Sequence, residues 1–136
     1  MRGIFIDTNI LVYAHDKDAG ARHEKARNLI QKLWMNNSPP AISIQVLQEL
    51  YVNLIRKQIP AATANEFIED YLQWNVIENT RTILTRGIDF SIRFHLSFWD
   101  SLIVAAAESA NADELWSEDL QSGATIAGIR IVNPLK

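Results

Sequence analysis

The strongest constraint on this chain is a punctuated rhythm. Apolar runs of a few residues, several of them closed by a polar or acidic side chain, alternate with longer stretches of helical period. Gly3-Ile4-Phe5-Ile6 ends at Asp7, and Ile10 to Ala14 follow as a second apolar run. Ala26, Leu29, Ile30, Leu33 and Trp34 recur on one helix face, which Asn36-Asn37-Ser38-Pro39-Pro40 brings to a stop. Ala41 to Ile44 reads as a short strand leading straight into a helix that Pro60 limits. Thr63-Ala64-Asn65-Glu66 predicts a capping box, with Ala64, Phe67, Ile68, Tyr71 and Leu72 keeping helical spacing. Val76-Ile77 is a strand candidate, Ile83, Leu84, Gly87 and Ile88 a helix face, and Leu102 to Ala110 a strongly apolar helix. Glu114-Leu115-Trp116 and Ile129-Arg130-Ile131-Val132 complete the set as strands. Short strands alternating with helices predict an α/β sandwich with a mostly parallel sheet.

Composition narrows the chemistry. A length of 136 residues suits one domain, expected to span 1–136. The absence of cysteine excludes disulfides, thiolate zinc, iron–sulfur clusters and a cysteine nucleophile. The longest apolar run, Leu102 to Ala107, is far below the ~20 residues that span a bilayer, so no membrane association is expected. Asp7 interrupts the N-terminal apolar stretch too early for a secretory signal, and the expectation is a soluble, cytoplasmic protein. A net charge of −3 by itself offers no footprint for nucleic acid.

Ligands on parallel sheets sit beyond the carboxyl ends of the strands, so the polar groups placed there matter most. Asp7 follows the first strand candidate directly, within Ile6-Asp7-Thr8-Asn9. Glu118 and Asp119 lie just past the strand around Trp116, Asp100 heads the apolar helix, and Glu49 lies about one turn inside the helix after the second strand. Each has an ordinary structural explanation. Asp7 suits a helix cap, and Asp100 suits a first helical turn where the dipole favours an anion. Glu49 points away from the face formed by Leu47, Leu50, Tyr51, Leu54 and Ile55, yet Val46 and Val52 flank it closely. The polar strip Gln45, Glu49, Asn53 and Arg56 is therefore narrow, and it suits solvent or a crevice equally. If the acids do meet, pairs of like charges ~4 Å apart repel by ~4 kcal/mol each at an effective dielectric of 20, so protons or cations must neutralise them. Hard oxygen ligands favour Mg²⁺ or Mn²⁺, whereas His15, His23 and His95 lack zinc-ligand spacing.

The segments 5–14 (Phe-Ile-Asp-Thr-Asn-Ile-Leu-Val-Tyr-Ala), 46–50 (Val-Leu-Gln-Glu-Leu), 98–107 (Phe-Trp-Asp-Ser-Leu-Ile-Val-Ala-Ala-Ala) and 115–123 (Leu-Trp-Ser-Glu-Asp-Leu-Gln-Ser-Gly) resemble, in order and spacing, the PIN-domain family. Most closely they resemble its VapC-type toxins from bacterial and archaeal toxin–antitoxin pairs. The resemblance implies a three-layer α/β/α sandwich with a mostly parallel sheet of about five strands. It implies a metal-dependent endoribonuclease whose carboxylates Asp7, Glu49, Asp100 and Asp119 hold Mg²⁺ or Mn²⁺ and activate water. Asn9 and Ser117 match supporting polar positions, and Glu118 competes with Asp119 for the fourth acidic place. The implied partners are an RNA substrate, a small cognate antitoxin and a second copy of the chain.

RNA would then be drawn to the site by cations on its rim, for which Arg56, Lys57, Arg86, Arg93 and His95 are candidates. His15 and His23 are expected to face solvent, Trp34 and Trp74 to sit on helix faces, and Trp116 in a strand. Trp99 is expected to pack, with base stacking as the alternative. Two other Mg²⁺-dependent α/β classes, receiver domains and haloacid-dehalogenase phosphatases, fit poorly because Asp7 is followed by Thr8-Asn9 rather than a second acid. An RNA-processing PIN nuclease outside a toxin–antitoxin pair and a non-catalytic RNA- or partner-binding scaffold stand as alternatives. Without the four acids, twelve Asp/Glu face thirteen Lys/Arg, so a metal-filled site leaves a surface no longer acidic overall.

Overall fold

The computed structural model describes residues 3–136. Strand β1 (Ile4–Ile6) passes through Asp7 into helix α1 (Thr8–His15), and a short 3-10 turn (Lys17–Ala19) leads to α2 (Ala21–Trp34). Strand β2 (Ala41–Ser43) runs without a loop into α3 (Ile44–Arg56), followed by α4 (Ala61–Tyr71) and β3 (Asn75–Ile77). Helices α5 (Arg81–Phe94) and α6 (Phe98–Ser109) precede β4 (Glu114–Trp116), β5 (Thr125–Ile126) and β6 (Ile129–Val132).

The strands form one six-stranded sheet in the order β3-β2-β1-β4-β6-β5, parallel except for the β5–β6 pair. The expected α/β sandwich with a mostly parallel sheet is thus the observed one. Chain order reverses between β1 and β4: the first crossovers run toward β3, and the connection from β3 returns past β2 and β1 to β4. Right-handed crossovers in that order carry α1–α4 over one face and α5–α6 over the other. Helix packing follows, with α1 against α2 and α3, α3 against α4, and α5 against α6. The central strands β1 and β4 are in register through Ile4–Glu114, Phe5–Leu115 and Ile6–Trp116. Phe5, Ile6, Ile42, Leu115 and Ile131 are fully buried, as strands covered on both faces require.

Several local expectations change. The sixth strand, β5, is only two residues long and antiparallel to β6, joined by Ala127-Gly128. Both turn residues have positive φ, 52° and 79°, the twist a two-residue hairpin needs. Helix α4 begins at Ala61 with Pro60 at its N-cap, not at a Thr63–Glu66 capping box. Pro60 enters readily because its fixed φ is already helical and it has no N–H to satisfy. Helix α6 starts at Phe98, four residues before the apolar run, because the Ser97 hydroxyl accepts from the Asp100 N–H. Trp74 is buried in the turn after α4 rather than on its face, tilted against Trp34 and edge-on to Tyr71.

Neither His15 nor His23 simply faces solvent. His15 stacks on Phe67 at 4.0 Å, and its Nε2 lies 2.7 Å from the Tyr71 hydroxyl. Burial, followed by the charge of His23, pulls its pKa down to about 4. His23 Nδ1 lies 2.9 Å from the Tyr13 carbonyl, near the open end of α1.

Candidate active site

Asp7 occupies the sharpest point of the chain, the single residue between β1 and α1. Its backbone N–H continues the ladder to the Trp116 carbonyl (2.9 Å), which fixes β1 beside β4 at the place where strand order reverses. Its Oδ1 accepts from the Thr8 N–H (2.7 Å), so Asp7 caps α1. Its Oδ2 accepts from the Ser117 hydroxyl (2.8 Å). The cap reading and the cleft reading are therefore both true of the same carboxylate.

Ser117 plays the reciprocal part after β4. Its N–H donates to the Val132 carbonyl (2.9 Å), and its Oγ accepts from the Asp119 and Leu120 N–H groups (3.2 and 3.3 Å). One buried hydroxyl thus bends the chain after β4 and ties that bend to Asp7.

A cleft of about 620 Å³ opens above this point. Asp7, Glu49, Asp100 and Asp119 all line it, each delivered by a different segment of the chain. Glu49, left undecided by its helix periodicity, is half-buried, and its Oε1 accepts from the Thr8 hydroxyl at 2.6 Å. Asp100 enters from the first turn of α6, and Asp119 from the bend that Ser117 holds. Glu118 does not belong to the cleft. Its carboxylate accepts from the Tyr13 hydroxyl (2.6 Å) and pairs with Arg22 (2.8 Å), and these hold its pKa below the usual range.

The electrostatics set Asp7 and Asp119 apart from surface acids. Burial raises the Asp7 pKa from 3.8 to about 6 against the pull of its hydrogen bonds to Ser117 and Thr8, and the charges of Asp119 and Glu49 raise it further. Burial also raises Asp119, as do Asp100 and Glu118, while the nearby Asn9 amide favours its charged form. Neither buried polar atom of that amide completes a well-aligned hydrogen bond. Asp7 thus feels the charges of Asp119 and Glu49, and Asp119 that of Asp100, while no Lys or Arg among the described residues hydrogen-bonds to any of the four. Among those residues, no three acidic or imidazole groups already form a closed metal-ligand set. The donor chemistry nonetheless fits a hard divalent cation: oxygen ligands, excess negative charge and an amide with bonding capacity to spare.

Of the rim cations expected from sequence, Arg56 and Lys57 line the cleft. Lys57 is paired to Asp16 at 2.9 Å, which lowers the Asp16 pKa. Arg86 makes a forked contact to Glu108 (2.9 and 2.7 Å), Arg93 pairs with Asp89, and neither they nor His95 line the cleft. Trp99 does not pack as expected: it is 63% exposed and lies on the cleft wall. One contributor went unnoticed in the sequence: Thr8 bridges α1 to Glu49, and a hydroxyl beside Asp7 was its only signal. Gln45, part of the polar strip read from the sequence, is buried and donates from Nε2 to the Trp99 carbonyl (3.2 Å), tying α3 to α6.

Residues 4–122 match the family model of the PIN domain. Among solved structures, the chain is similar to a toxin–antitoxin complex from Klebsiella pneumoniae (TM-score 0.71, 23% identity, 97% of this chain and 98% of the other covered). It is similar to VapC20 of Mycobacterium tuberculosis, described as a sarcin–ricin loop cleaving toxin (0.67, 21%, 86% and 90%). It is also similar to VapBC2 from Rickettsia felis bound to a promoter DNA fragment (0.67, 22%, 94% and 96%). Comparison with curated protein sequences yields no match.

Proposed function

Given that this chain belongs to the PIN-domain family, we propose that it is a divalent-metal-dependent endoribonuclease acting as the toxin of a toxin–antitoxin pair. The observation that carries the reading is the convergence of Asp7, Glu49, Asp100 and Asp119 on one cleft, with no cationic side chain among the described residues hydrogen-bonded to them. The fold likeness to toxins and toxin–antitoxin complexes supports the toxin role and a small antitoxin partner. Leu84, Ile88 and Ile92 lie exposed along α5, an apolar face that would suit a second copy of the chain.

Asp7, Asp100 and Asp119 would hold Mg²⁺ or Mn²⁺ directly, with Glu49 completing the set. When bound, the ion supplies Lewis acidity that makes water a nucleophile near neutral pH and offsets charge developing on the phosphate. The chain itself supplies position. Ser117 and the Thr8 N–H fix both oxygens of Asp7, so that carboxylate is oriented before any ligand arrives. Thr8 holds Oε1 of Glu49, which leaves Oε2 to orient water through a hydrogen bond. Tyr13 and Arg22 keep Glu118 turned away, so it does not compete with Asp119.

Purified chain incubated with a mixed RNA pool should yield fragments in Mg²⁺ or Mn²⁺ and none in EDTA. Undiminished cleavage in EDTA, or full activity of Asp7→Asn, overturns the enzymatic reading. Expression should arrest growth, with rescue by a small adjacent open reading frame. Normal growth of cells carrying active protein overturns the toxin role.

A further inference from the structure

The cleft carries more polar length than a metal site needs. Gln45, Gln48, Glu49, Val52, Asn53, Arg56 and Lys57 line it along α3 from first turn to last. From Gln45 to Arg56 the helix rises about 16 Å, with Glu49 one turn from the start. Its two ends differ chemically. At the N-terminal end, Gln45 bonds the Trp99 backbone, and the Trp99 ring rests edge-on against Phe98 at 5.1 Å with most of its surface in solvent. At the C-terminal end, Arg56 is exposed and has no ion-pair partner among the described residues. An indole held open beside the acids and a free guanidinium at the far end suit different parts of one polymer, a base and a phosphate.

We infer that the polar strip of α3 is the track for a single strand of RNA, with an unpaired base stacked on Trp99 and a phosphate on Arg56. This rests on the ribonuclease reading and specifies the form of substrate that fits. A stacking platform needs a base whose face is free, which a duplex does not offer. The scissile phosphate then lies between the two anchors, at the level of Glu49 and Asp7. Gln45, 8% exposed, donates to the Trp99 carbonyl and so ties the backbone that carries the ring to α3.

The test is fluorescence anisotropy of a labelled, mixed-sequence single-stranded RNA decamer in Mg²⁺, using an Asp7→Asn background to suppress cleavage. Adding Trp99→Ala should weaken binding roughly 5- to 150-fold without changing its salt dependence, whereas Trp99→Phe should retain most of the affinity. Adding Arg56→Gln should lower the slope of log K against log salt by about 0.7, the value for one phosphate on a single strand. Binding by Trp99→Ala within twofold of its parent overturns the stacking site and leaves that ring to a protein partner. Equal affinity for a duplex of the same sequence overturns the single-strand track. Cleavage of the RNA pool by the unsubstituted chain separates the two readings. If it cleaves while Trp99→Ala changes nothing, only the track fails; if it neither binds nor cleaves RNA, both fail.

Discussion

Replacing Asp7 with asparagine should produce a protein that is catalytically dead yet more stable than its parent when divalent ions are absent. Folding raises the Asp7 pKa from 3.8 to about 6, chiefly because burial penalises the charged form. At 1.36 kcal/mol per pK unit, the ionised carboxylate costs the folded state about 3 kcal/mol above pH 6. The sign follows from proton binding. Between pH 3.8 and 6 the folded state keeps a proton that the unfolded chain has released, so stability falls as pH rises through that window. Below pH 3.8 the cost vanishes. Asparagine is neutral throughout and still accepts from the Thr8 N–H as a good N-cap. It loses the acceptor for the Ser117 hydroxyl, at about 1 kcal/mol. The net gain at pH 7.5 in EDTA is therefore about 1–2 kcal/mol, a rise in Tm of roughly 3–10 °C for a chain of this size. In Mg²⁺ the order should reverse. A divalent ion at a hundredfold excess over its Kd stabilises the parent by about 2.7 kcal/mol, and the variant has lost a ligand. Thermal unfolding by circular dichroism at pH 4 and pH 7.5, with EDTA or Mg²⁺, measures all four conditions. A variant less stable than its parent in EDTA at pH 7.5, or an advantage equally large at pH 4, refutes the reasoning.

Three further outcomes are expected. Asp119→Asn should abolish cleavage of an RNA pool while Glu118→Gln keeps at least a third of it, because only the former lines the cleft; the reverse ranking identifies Glu118 as the working acid. Burial lowers the His15 pKa from 6.5 to about 4, so from pH 6.5 down to 4 the unfolded chain binds a proton that the folded one refuses. Stability should fall across that window by about 2–3 kcal/mol, largely offsetting the opposite slope of Asp7, so with His15→Gln stability should rise more steeply, or fall less, than in the parent as pH drops, as read by urea titrations at several pH values. Gly87→Val should cost on the order of 1–3 kcal/mol by chemical denaturation, because even a Cβ there would stand 2.6 Å from Leu102 Cδ2 where α5 meets α6. An unchanged midpoint argues against that close approach.

How far the sequence disclosed all this depends on whether the signal was local. The strand–acid junctions at Asp7 and after Trp116 were legible because each is a run of apolar residues broken by a residue with one conformational and one chemical job. Glu49 was not, since a helical wheel reports which way a side chain points but not what stands opposite. Its partner, the Thr8 hydroxyl, is distant in sequence and belongs to another helix. The different placement of Glu118 and Asp119 was closed to one-dimensional reading for the same reason, since Tyr13 and Arg22, which hold Glu118 outside the cleft, are distant in sequence. His15 misled because neighbouring Asp and Lys residues suggested solvent, while the rings that cover it, Phe67 and Tyr71, arrive with α4. Strand β5 escaped because Ala127-Gly128 lacks the Asn or Asp that usually marks such a turn.

The pairing of β1 with β4 also has a consequence in time. Asp7 is synthesised 110 residues ahead of Ser117, whose hydroxyl orients it, and Asp119, the acid that completes its surroundings, follows later still. Closing so long a stretch of chain is among the slower steps open to a small domain. A nascent or truncated chain that ends before β4 holds one half of the cleft and lacks the other. A centre that needs all four acids would therefore stay incomplete until β4 and the bend after it have been made and folded.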